Sequence, residues 1–144
     1  MQQPTLIPSL VYDDAPAAID WLVNAFGFER NMVVPGPDNT IAHAQLTLGS
    51  AMIMLGSAAT SSLRVKSPRT LGGVSGAIYV VIDKVDAHCA RARAAGATII
   101  REPTDEDYGG RDYACRDPEG HLWSFGTYAP TIEPAAEVKP QSRG

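Results

Sequence analysis

Apolar residues recur along this chain with two periods, and the switches between them mark its elements. Residues 6–12 are a short apolar run between Pro4 and the Asp13-Asp14 pair, and read as a strand. Beyond it Ile19, Leu22, Val23 and Phe26 return at helical spacing and form one buried stripe. Asp13 or Asp14 can cap that helix, Pro16 suits its first turn, and Gly27 ends it where a left-handed residue costs least. Strand patterns follow at 28–34, 40–48 and 51–55, broken by the turns 35–39 and Gly49-Ser50. In the second of these, Ala44, Leu46 and Leu48 take the packed face, and His43, Gln45 and Thr47 the other.

Residues 56–75 are rich in Ser, Thr and Gly and carry Arg64, Lys66 and Arg69, so they read as a connecting segment. Connections of that length are usually functional or flexible. Then the pattern restarts. A strand is expected at 76–82, and a helix capped by Asp83 with the stripe Val85, Cys89 and Ala92, stopping at Gly96. A strand at 98–101, a loop at 103–110 and a hairpin at 111–128 complete it. The hairpin turns on Asp117-Pro118-Glu119-Gly120, with Pro where φ near −65° is wanted and Gly at the exit. In its outgoing strand Leu122, Ser124 and Gly126 share one face, and Trp123, Phe125 and Thr127 the other.

The two halves are a repeat. A shift of 70 takes Asp13 to Asp83, Ala17 to Ala87, Ala25 to Ala95 and Gly56 to Gly126, with the element landmarks in step. A βαβββ unit cannot bury its helix and its sheet alone, so two units pair and their sheets curl into a cup. The expected fold is α+β: two βαβββ modules forming a curled mixed-sheet cup with helices outside. The first module covers 1–56, a linker 57–75, the second module 76–128 and a flexible C-terminal tail 129–144.

Composition narrows the function. At 44% hydrophobic and 19% charged residues with net charge −4, the 144-residue chain fits a soluble globular protein. It lacks the long basic run of a nucleic-acid binder and the apolar length of a membrane span. No basic-flanked apolar leader opens it, and Cys89 and Cys115 form no C-x-x-C pair. Free thiols suit a reducing cytosol, so the expected location is cytoplasmic.

The stretches VYDDAPAAIDWLVNAFGFE and GGRDYACRDPEGHLWSFGTY, set in a paired βαβββ pattern over roughly residues 5–128, resemble the vicinal oxygen chelate superfamily. That group holds glyoxalase I, extradiol dioxygenases, fosfomycin-resistance enzymes and bleomycin-resistance proteins. The closing motif, G-R-x-x-x-x-x-D-P-x-G before an aromatic-rich strand, is most similar to the bleomycin-resistance and PhnB-like branches. In metal-using members four strand positions aim His or Glu at one divalent ion. The resemblance lays those positions on Ile7, Met54, Ala77 and Ser124, and none of the four is a usual ligand for such an ion.

The expectation is therefore a metal-independent protein, without cofactor, that holds an apolar or aromatic small molecule in the cup, probing no nucleic acid or membrane, and pairs as a homodimer. Strand alternation nominates His43, Gln45, Met52, Met54, Tyr79, Tyr108, Arg111, Tyr113 and Ser124 for the ligand. Arg111 is a candidate handle for an anionic group and Tyr113 for stacking. The alternative is a glyoxalase-like lyase or isomerase with a displaced metal site or metal-free acid–base chemistry, using His43, Tyr113 and Arg111. No catalytic residue is assigned.

Overall fold

A computed structural model describes residues 3–134. The helix expected after the first strand runs Ala15–Phe26 (α1). Asp14 caps it by accepting from the Ala17 N–H, and Gly27 closes it at φ 85°, in the left-handed region. It follows β1 (Ser9–Tyr12) and precedes β2 (Glu29–Pro35), β3 (Ile41–Leu48) and β4 (Ala51–Ser57). The second half supplies β5 (Ala77–Val81), α3 (Val85–Ala94), β6 (Thr98–Asp105), β7 (Arg111–Arg116) and β8 (Leu122–Gly126).

Each half makes a four-stranded mixed sheet of the same order, β1-β4-β3-β2 and β5-β8-β7-β6, with a parallel pair at one edge and antiparallel pairs elsewhere. The free edges of β1 and β5 face each other across a groove of about 350 Å³. The helices pack together, and each seals the other's C-terminal end. Trp21 Nε1 donates to the Ala95 carbonyl at 2.7 Å, and Arg91 Nε donates to the Asn24 carbonyl at 2.8 Å. Those carbonyls lie where a helix has no partner of its own.

One core spans both modules. Ile19, Leu22 and Phe26 of α1 meet Ala44, Leu46 and Leu55 of the first sheet, and Cys115, Trp123 and Phe125 of the second. Phe26 lies 5.1 Å from the Trp123 ring and 4.7 Å from Phe125, so the first module's helix packs on the second module's strands.

Three expectations need correction. Lys84, not Asp83, stands at the N-cap of α3, and no side chain caps it. β6 continues past Arg101 to Asp105, because its register shifts let it keep pairing with β7 around Pro103. The connector is not without structure: it holds a 3₁₀ turn, Ala58–Thr60, and a one-turn helix, Pro68–Leu71 (α2). Of the expected tail, residues 135–144 lie outside the described residues.

Candidate functional site

The sheet faces turned away from the helices carry the candidate chemistry. On the first sheet, register places Ser9, Gln45 and Met54 in one row and Thr47 beside Met52 in the next. His43, Gln45, Met52 and Met54 therefore share one face, each half-buried, as the alternation of β3 and β4 required. On the second sheet Ala77 and Leu122 form one row, and Tyr79, Ser124 and Ala114 another.

That second register corrects β7. Arg111 and Tyr113 were expected in the cup and stand, with Cys115, on the opposite face. The turn fixes this: Asp117 N–H donates to the His121 carbonyl, and Arg116 pairs with Leu122. Tyr113 must then sit beside Phe125 and Cys115 beside Trp123, inside the core. Arg111 spends its guanidinium on Asp86 of α3, at 2.9 and 3.0 Å, and on Asp105 at 3.1 Å. It pins α3 to the hairpin, and its charge is already neutralised by two carboxylates. Tyr113 is hydrogen-bonded at 2.5 Å to Nδ1 of His88 on α3. Burial raises the Tyr113 hydroxyl well above its ordinary value and pushes the Cys115 thiol up to about 12, so neither supplies an anion near neutrality.

The residues that replace them on this face are Asp112, Ala114 and Arg101. Asp112 is buried and accepts from Arg101 at 2.7 Å and from Tyr108 at 3.3 Å. Tyr108 thus stands at the end of the face, edge-on to Tyr128, with ring centres 5.2 Å apart. Tyr79, 41% exposed, donates to the Tyr128 carbonyl at 2.7 Å. Asp112 was legible: in the run Arg-Asp-Tyr-Ala-Cys-Arg, ordinary alternation sends Tyr and Cys inward and Asp outward.

A cleft of about 800 Å³ opens where the two modules meet. It brings Met52 and Tyr79 together with Ile7 and Val81 from the outer faces, and adds Phe26, Phe28 and Trp123 from the helix side. Sequence reasoning missed those three rings because their phase marks them as core. A second groove, about 250 Å³, holds His43 between the first sheet and the connector. The cleft falls within the range of small-molecule sites and is largely apolar, as such sites are.

The four family metal positions do not fit a divalent ion. Ile7 and Ala77 offer no donor atom, the Met54 thioether is soft, and Ser124 alone is weak. Ile7 borders the 800 Å³ cleft, while Ala77 borders the groove at the other end of β1. Among the described residues no group of three His, Cys, Asp or Glu side chains comes together.

The chain belongs to the Glyoxalase/Bleomycin resistance protein/Dioxygenase superfamily, whose family model matches residues 5–125. It is 40% identical over 126 residues to an uncharacterized protein of Mycobacterium bovis, covering 86% of this chain and 83% of the relative. Among solved structures it is similar to TioX from Micromonospora sp. ML1, with 34% identity, TM-score 0.69, and 86% and 98% of the two chains covered. A fosfomycin-resistance protein, FosX from Listeria monocytogenes, solved with Mn(II) and a dihydroxypropylphosphonic acid, shares the fold at 17% identity and TM-score 0.67, over 90% and 93% of the chains. Among the described residues no helix is long and apolar enough to cross a membrane.

Proposed function

We propose that this chain is a metal-independent binding protein for a small, largely apolar or aromatic molecule. The observation that carries the reading is the 800 Å³ cleft between modules, walled by Phe26, Phe28, Met52, Tyr79 and Trp123. Aromatic rings supply flat contact area, and a methionine adapts to varied shapes. The positions that the family resemblance gives to a metal are Ile7, Met54, Ala77 and Ser124, of which only Ile7 borders this cleft, so no metal-dependent step is assigned. An anionic ligand loses its expected handle, since Arg111 is held by Asp86 and Asp105 on the far face.

In this reading the protein works as a homodimer. Ile7, Tyr79 and Val81, in the lining of the cleft, are 39%, 41% and 50% exposed, and a second copy would cover them. The test is a thermal-shift screen of metal-stripped protein against divalent ions and a panel of planar aromatic compounds. Stabilisation by aromatics, with none from ions, is the expected result; a ligand at 100 times its dissociation constant adds about 2.7 kcal/mol. Stabilisation by ions alone would overturn the reading. Light scattering should give twice the chain mass.

A further inference from the structure

The 250 Å³ groove beside the connector is lined by apolar and hydroxyl side chains around one imidazole, that of His43. Val11 and Gly56 form its floor, Leu63 and Val65 of the connector its outer wall, and His43 lies among them. His43 is the one residue of this lining with an acidic or basic side chain.

A hydrogen-bond chain on the sheet face orients that ring. Gln45 Nε2 donates to Asn31 Oδ1 at 2.8 Å, which leaves Gln45 Oε1 as an acceptor. His43 Nε2 lies 2.9 Å from Gln45 Oε1 and must be the donor there. A neutral imidazole carries one N–H, so Nδ1 keeps its lone pair. Among the described residues Nδ1 has no hydrogen-bond partner, and the ring is half-buried.

Beyond the small-molecule reading of the 800 Å³ cleft, with which this groove shares no lining residue, we propose that the groove takes a neutral ligand bearing a hydrogen-bond-donating group, a phenol or N–H heteroaromatic, with His43 Nδ1 as its acceptor. A charged group would be desolvated here without a counter-charge. Leu63 and Val65 are 84% and 46% exposed without ligand, and the ligand's apolar body would cover them. Asn31 and Gln45 are positioning residues, since they act on the ligand only through the His43 tautomer.

The experiment is calorimetry on the full chain with two matched probes, 2-naphthol and 2-methoxynaphthalene, the second lacking the donor. The wild type should bind 2-naphthol roughly tenfold more tightly, a difference typical of one buried hydrogen bond. His43→Phe should abolish the preference, and Leu63→Ser should weaken both probes alike. Gln45→Leu should reduce the preference, and long-range ¹⁵N–¹H spectra should show the His43 proton no longer confined to Nε2. Equal affinity of the wild type for both probes overturns the inference and leaves the binding reading standing. A preference that survives in His43→Phe overturns the assignment to His43. Binding of neither probe, and of nothing in the aromatic panel, overturns both.

Discussion

His88 turns its ring from α3 into the aromatic cluster, 4.2 Å from Phe125 and 5.7 Å from Tyr113. Burial holds its pKa below the ordinary histidine value of about 6.5, and Arg91 adds to the effect. The unfolded chain therefore takes up this proton at higher pH than the folded one. The His88 contribution to stability is full above about 6.5 and is lost as pH falls below it. Urea midpoints should drop between pH 7 and 5, and the drop should be smaller in His88→Leu. Asp86, held below its ordinary value first by its hydrogen bond to Arg111, titrates under that window. An equal drop in the variant would show that another group carries it. Gly126 is a second single-residue constraint. A Cβ there would come within 2.7 Å of both the Asp112 Cβ and the Tyr79 hydroxyl. Gly126→Ala should cost about 1–3 kcal/mol in chemical denaturation and displace Tyr79 from the Tyr128 carbonyl.

At the scale of elements, the Asp117–Gly120 turn does more than reverse the chain. Asp117 Oδ1 accepts from the N–H groups of Glu119, Gly120 and His121, while Oδ2 accepts from Tyr12 at 2.6 Å and Trp123 at 3.1 Å. Glu119, also buried, accepts from the N–H groups of Asp13 and Asp14 at 2.6 and 2.8 Å. A carboxylate of the second module thus holds the entry to α1 in the first. The connector joins the same point: Thr70 donates to Asp13, and Pro68 packs at Gly120. Glu119→Ala leaves two backbone donors short of an acceptor and should cost about 2–4 kcal/mol, at one to two kcal/mol per group. Asp117→Ala should cost more, since it orphans a tyrosine and an indole as well. Denaturation midpoints of the two variants check the order. In the sequence these residues read as turn formers, and that reading was right as far as it went. The partners Tyr12, Asp13 and Asp14 lie more than 100 positions away, beyond any local signal.

For the whole molecule, the shared core makes the modules one folding unit. Phe26 of the first module rests on Trp123 of the second, and the helices seal each other's ends. Trp21 and Trp123 fluorescence and far-ultraviolet circular dichroism should report a single coincident transition. A fragment of residues 1–57 should not fold, because Ile19, Leu22 and Phe26 would lose the cover that the second module gives them. Two separated transitions would contradict a common core.

The sequence alone determined the main strands and helices of each module, the repeat and one sheet face. Hydrophobic period, caps and turn residues are local, and the first sheet's face could be read because Ala44, Leu46 and Leu48 alternate cleanly with His43, Gln45 and Thr47. It also shows that Ile7, Met54, Ala77 and Ser124, where the resemblance lays the metal positions, include no His or Glu, since that depends on residue type alone. The tertiary structure decided the rest. The hairpin register sent Arg111 and Tyr113 to the helix side, where Asp86 and His88 could satisfy them. The docking of α1 on β8 put Phe26 and Trp123 at the wall of the cleft. Which polar group meets which, and which apolar face stays open, follows from how two modules pack. That packing is settled by contacts between residues far apart in the chain, and no local pattern encodes them.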